Sequence, residues 1–217
     1  MQQKYFPDVS LGLIIASKVR FTSIFILTFL IFTHTHAEEE GLINNDTSYV
    51  YRSLNEAIAF PEKVFKLNLS KAKLDSFPLE IFLFKNLIEL NLSRNFLEEV
   101  PPEIGQLVNL KKLNLANNKL VHLPPEIGQL KELIFLGLNR NVLEDLPPTI
   151  GHLKKLEIFE LWDNELNDIP DEISELQNLK LLELRGILFT EMEQKRIDSL
   201  VVKSAKIFMS PSCNCKN

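Results

Sequence analysis

Few residues in this chain could do covalent or metal chemistry, and their spacing argues against most of it. The sequence repeats with a period of 23 residues, and His122 and His152 fall at positions 13 and 20 of that period. An imidazole that activates a nucleophile must have that nucleophile held beside it. The repeat register places none there, so both histidines are expected as exposed outer-face residues. Cys213 and Cys215 form a C-x-C pair close to the end of the chain. Two thiolates at that spacing can converge on one soft ion, but two ligands are too few for a structural zinc site. A free or disulfide-paired tail is expected, with bridging between chains open in an oxidising compartment, and no metal site. Asn95, Asn118, Asn141 and Asn164 recur once per period, four amides in a row with no nucleophile or base among them. They read as a structural ladder. No catalytic residue and no cofactor is expected, and the chain is read as non-enzymatic.

The chemistry that remains is recognition, and the period shows which elements must position it. With Leu110 as position 1, the register returns at Val64, Leu87, Leu133, Leu156 and Leu179, with no insertion or deletion. Each copy follows L-x-x-L-x-L-x-x-N-x-L-x-x-L-P-x-x-I-x-x-L-x-x. Positions 4 and 6 are apolar with a variable residue between them, the period of two that marks a strand with one buried face. Short tandem copies force these strands to lie parallel and adjacent. An inward asparagine at position 9 can satisfy backbone groups that a bending chain leaves unpaired. Pro101, Pro124, Pro147 and Pro170 then stop the strand. The return segments are too short and too glycine-bearing for long helices, so 3-10 or single helical turns are expected on the outer face. That outer layer is wider than a strand spacing, so the stack should curve with its parallel sheet on the concave side.

The variable positions 3, 5 and 7 point into that concavity. Position 3 reads Lys66, Glu89, Lys112, Phe135, Ile158 and Leu181; position 5 reads Asn68, Asn91, Asn114, Gly137, Glu160 and Glu183; position 7 reads Ser70, Ser93, Ala116, Asn139, Trp162 and Arg185. The first three strands present polar groups. The last three set Phe135, Ile158 and Leu181 side by side with Trp162 nearby, and Arg140, Glu160, Glu183 and Arg185 around them. A contiguous apolar patch with aromatic and arginine residues commonly marks a partner site. These eight residues are the expected protein-binding surface. The alternatives are that the row joins two copies of the chain, or only stabilises the sheet.

Composition agrees with one extended core: 217 residues, 45% hydrophobic and 24% charged. The formal charge of -5 comes from interleaved acids and bases, with no basic block for a nucleic acid. Two cysteines, both in the tail, leave the fold to be held by its core rather than by a disulfide framework.

At the ends the pattern changes. Residues 1–37 read as a secretory signal: Lys18 and Arg20, the apolar run Phe21 to Phe32, then the small residues Thr35 and Ala37 before Glu38. That run is shorter than the roughly 20 residues a membrane span needs, so no span is expected after signal removal. Losing Lys4, Lys18, Arg20 and Asp8 takes the formal charge from -5 to -7. Residues 38–63 read as a linker and cap helix, opened by a capping box at Ser53 and Glu56. Six repeats fill 64–189, the last one degenerate, with Ile187 at the asparagine position. Residues 190–209 read as a second cap. Thr190 and Glu193 open its helix to about Val201, and alternation over Lys203 to Met209 adds a short strand. Residues 210–217 are the cysteine-bearing tail.

On these motifs the chain resembles the leucine-rich-repeat proteins over about residues 53 to 209. The resemblance implies an α/β solenoid: a curved right-handed stack with a parallel sheet on its concave face, short turns on its convex face and helical caps at both ends. The L-P-x-x-I-G-x-L arrays and the cysteine-bearing tail are further similar to short secreted repeat proteins of pathogenic spirochaetes. That similarity implies export, a secreted or cell-surface location, and binding to a host or extracellular protein.

Overall fold

The computed structural model describes residues 47–212. The signal expected over 1–37 and the Cys213/Cys215 pair lie outside the described residues.

The apolar alternation folds into a parallel sheet of seven described strands in chain order: β1 (Lys66–Asn68), β2 (Glu89–Asn91), β3 (Lys112–Asn114), β4 (Phe135–Gly137), β5 (Ile158–Glu160), β6 (Leu181–Leu184) and β7 (Lys206–Met209). The register follows the period, so Leu67, Leu90, Leu113, Leu136, Phe159 and Leu182 stand beside one another. All six are buried in one continuous core with the leucines of positions 1, 6 and 11, against which Leu74 of the first repeat packs partly buried. Each such side chain contributes about 1.5–3 kcal/mol by leaving water.

The strands are short for a backbone reason. Position 8 of every repeat sits in the left-handed region: Lys71 at φ 61°, Arg94 at 59°, Asn117 at 55°, Arg140 at 57°, Asp163 at 54° and Gly186 at 80°. That conformation turns the chain off the sheet, at a cost of about 1–2 kcal/mol for most side chains. Gly186 avoids the cost, and a Cβ there would also stand 2.1 Å from Asp163 Oδ1, so a larger residue would have to push that carboxylate aside.

The position-9 asparagines follow this turn and tie adjacent repeats together. Asn141 Nδ2 donates to the carbonyl of Leu138 in its own repeat (2.8 Å) and of Leu115 in the preceding one (3.1 Å). Its Oδ1 accepts from the Leu120 amide at 3.1 Å. Asn95, Asn118 and Asn164 make the same three bonds. A second set had no counterpart in the sequence reading. Asn86, Asn109 and Asn178, at position 23, donate to carbonyls one period back: Glu62, just ahead of the first repeat, and Lys85 and Lys154 of the preceding repeats.

After the prolines, the chain returns in 3-10 turns over Leu79–Leu83, Pro102–Gln106, Pro125–Gln129, Pro148–His152 and Asp171–Glu175. Each turn buries its isoleucine: Ile81, Ile104, Ile127, Ile150 and Ile173.

The two caps differ in how they form. The amino-terminal helix α1 (Leu54–Ile58) begins after Ser53, but the capping box expected there does not close. Glu56 instead accepts from the Tyr49 hydroxyl, which removes the carboxylate from the cap. Tyr51 also pairs with Leu67 ahead of β1, extending the sheet by a single bridge. The carboxy-terminal helix α2 (Glu191–Leu200) does close its box: Glu193 N donates to Thr190 Oγ1 at 3.3 Å, and Thr190 N to Glu193 Oε2 at 2.6 Å. Ile197 and Val201 are buried beneath it, and β7 pairs in parallel with β6. No helix among the described residues is long and apolar enough to cross a membrane.

Candidate functional site

The registered strands array the concave side chains as a grid, because residues i and i+2 share a face and equal positions in neighbouring repeats stand side by side. Phe135, Ile158 and Leu181 are in direct register, flanked by Lys112 on one side and Lys206 on the other. The next row holds Gly137, Glu160, Glu183 and Phe208. Trp162 and Arg185 follow two residues further along their chains. All eight sequence-nominated residues therefore lie in one region of the sheet face or at its border. Their availability is unequal.

The apolar members are half-buried rather than open. Gly137 accounts for part of this: a Cβ there would meet the Phe135 ring at 3.0 Å, so the ring lies along its own strand over the glycine. Trp162 carries the Arg140 guanidinium over its ring, 4.6 Å from the centroid. Arg140 also pairs with Asp163 at 3.5 Å. This is a cation–π stack at the border of the face.

The carboxylates divide sharply. Glu183 is buried, and Arg185 engages it through Nε at 2.7 Å and Nη2 at 2.8 Å. Glu183 Oε1 also accepts from the Arg185 backbone amide at 3.2 Å. Asn68, Asn91 and Asn114 make that same bond in the first three strands, each accepting from the amide two residues on. Glu183 thus does the structural work of a position-5 asparagine, and is not an open rim residue. Arg185 in turn lies over the Phe208 ring at 5.5 Å, adding an exposed aromatic that the sequence reading left out of the site. The signal was present in the alternation of Lys203 to Met209, which puts Phe208 on the same face as Glu183.

Glu160 differs from every other acid of this face. It is half-buried, it makes no ion pair among the described residues, and its carboxyl is held above the usual carboxylate range by desolvation and then by the Glu183 charge. The nominated histidines are both exposed; His122 Nδ1 meets Asp145 at 3.2 Å.

Stacked turns, a single parallel sheet and the asparagine rungs of the four central repeats define a tandem-repeat solenoid. The family model described as "Leucine-rich repeat region" matches residues 67–207, and the chain belongs to the leucine-rich-repeat family. Among solved structures it is similar to a leucine-rich-repeat protein of Leptospira interrogans, at 35% identity and a TM-score of 0.57, over 75% of this chain and 49% of that one. It is also similar to the plant peptide hormone receptor RGFR1, solved in complex with RGF2, at 33% identity and a TM-score of 0.56, over 65% of this chain and 23% of that one. A third is the ectodomain of the membrane receptor kinase GASSHO1/SCHENGEN3 from Arabidopsis thaliana, in complex with CASPARIAN STRIP INTEGRITY FACTOR 2, at 30% identity and a TM-score of 0.51, over 59% and 19% of the two chains. The chain spans about half the length of the Leptospira protein and under a quarter of either plant chain. No curated protein matches.

Proposed function

We propose that this chain is an exported, non-enzymatic protein-binding module whose partner docks on the concave face of β4 to β6. The observation that carries the proposal is the half-exposed row Phe135, Ile158 and Leu181 beside Trp162, on a sheet whose first three strands present polar groups at the same positions. The similarity to two plant receptors solved with their partners supports a binding role for this scaffold. Export, to a secreted or cell-surface location, is supported by the leader-like residues ahead of Glu38 and by the similarity to a receptor ectodomain. Burying on the order of 300 Å² of apolar area yields about 7 kcal/mol before association costs of similar size. The row therefore supplies modest affinity, and charged groups at its edge must supply the selectivity.

The double variant Phe135→Ser/Trp162→Ala tests the site. Chain 38–217, immobilised and exposed to a mixture of host extracellular proteins, should capture a partner that the double variant loses. Capture undiminished by the two changes rejects the face. The second reading, self-association through the same row, calls for sedimentation at several concentrations with and without reductant. A mass that rises with concentration and falls in the double variant would favour it.

A further inference from the structure

Resting on that docking face, the geometry points to a partner of particular chemistry: we propose that Glu160 receives a lysine or arginine side chain of an extended polypeptide segment whose neighbouring side chains are apolar. One charge on this face is left over. Three acids lie in the concave grid. Glu89 is shared between Lys66 at 3.4 Å and Lys112 at 3.3 Å, and Glu183 is held by Arg185. Glu160 alone makes no pair with a cation of the described chain.

Its surroundings explain why that matters. Along its own strand Glu160 stands between Ile158 and Trp162. Across the sheet it stands between Gly137, which offers no side chain, and Glu183, which offers a like charge. The Phe135 ring closes the corner over Gly137. Lys206, at the far end of the apolar row, also makes no ion pair among the described residues but is exposed, so water solvates it at little cost. Glu160 is half-withdrawn from water, where an unpaired carboxylate is penalised. A cation reaching it would meet the carboxylate with its aliphatic stem against Ile158 and Phe135, the amphipathic burial that lysine and arginine favour. The partner side chains on either side of that cation would fall on Ile158 and Leu181 in one direction and on Trp162 in the other. An acidic or wholly apolar segment would leave Glu160 unpaired and further desolvated, which supplies discrimination as well as affinity.

The chain has one tryptophan, Trp162, two residues from Glu160 on the same face, so its emission reports occupancy directly. Random dodecapeptides displayed on phage are selected on chain 38–217, with the Phe135→Ser/Trp162→Ala variant as the counter-selecting surface. The selected peptides should carry a lysine or arginine among apolar residues. As synthetic peptides they should shift Trp162 emission, and lose at least tenfold in affinity either for Glu160→Gln or when their basic residue is replaced by methionine. The two losses should not add. Glu160→Gln keeps the shape of the side chain, and its melting temperature should match or exceed that of the wild type. Selected peptides without a basic preference, or equal affinity for the Gln variant, would overturn the cation assignment while leaving the docking face intact. No enrichment over the counter-selecting variant would overturn both.

Discussion

The concave face divides at the border between β3 and β4, and the two halves use the same backbone to opposite ends. Across β1 to β3 the polar groups are matched within the chain. Glu89 is bracketed by two lysines, and Asn68, Asn91 and Asn114 accept from their own backbones. Across β4 to β6 the chain leaves an apolar row partly exposed and one carboxylate without a cation. Beneath both halves the same leucine positions are buried to the same degree. The comparison teaches that folding and recognition are written in different positions of one repeat. The inward residues are kept uniform while positions 3, 5 and 7 change.

The largest effects should therefore ignore the division. Leu113→Ala under the polar half and Leu136→Ala under the apolar half each empty a fully buried site, and each should cost about 2–5 kcal/mol. Chemical denaturation measures both. A difference well above 1 kcal/mol between them would mean that the core itself is not equivalent along the stack.

The asparagine rung comes next. Asn118→Ala strips bonds from the carbonyls of Leu92 and Leu115 and from the Leu97 amide, and should cost about 1–3 kcal/mol. Its neighbour Asn117 sits at φ 55°, where asparagine is tolerated better than alanine. Asn117→Ala should consequently cost about 1 kcal/mol through backbone strain, and Asn117→Gly little or nothing. A glycine variant as unstable as the alanine one would show that the side chain of Asn117, rather than its backbone, matters.

The smallest effect is the one that most sharply separates the halves. Burial and the nearby Glu183 charge raise the Glu160 carboxyl above its ordinary 4.5, so the folded state binds its proton more tightly than the unfolded state does. The sign follows: this group's contribution to stability is present at low pH and is lost as pH rises through the raised value. Wild type should gain stability relative to Glu160→Gln as pH falls through that interval, and match or trail it at neutral pH. The thermal midpoints of the pair, measured across pH, check this. The opposite slope would mean that Glu160 is paired with a cation.

Much of this was legible in the sequence because a period of 23 residues repeats one structural statement several times. Strand positions, inward asparagines, proline-led turns and the Thr190 capping box each follow from residue type and place. What could not be read were choices made by neighbours far along the chain. Ser53 and Glu56 have the spacing of a capping box, yet Tyr49 takes the glutamate. The left-handed turn at position 8 was signalled by Asn117, Asp163 and Gly186 and obscured by Lys71, Arg94 and Arg140, which adopt it against their preference. Within the candidate site, the row of Phe135, Ile158 and Leu181 was evident from spacing. The burial of Glu183 was not, since it depends on Arg185 folding back two residues and on Phe208 arriving with β7.

The ladder lacks its asparagine in the last repeat, as it does at Ala72 in the first. Each position-9 asparagine reaches back to the repeat before it, but the last repeat carries Ile187 there, buried and unable to donate. The seam between the repeats of β5 and β6 thus lacks the asparagine rivet of the seams before it, and is tied instead by the Lys180–Glu157 pair and by Arg196 of α2, which reaches Asp168, Asp171 and the Ile169 carbonyl. The apolar row crosses that seam at Ile158 and Leu181. A segment lying over both would act as a splint, so amide exchange in β5 and β6 should slow when the face is occupied, and a joint without an asparagine rung becomes a gauge of its cargo.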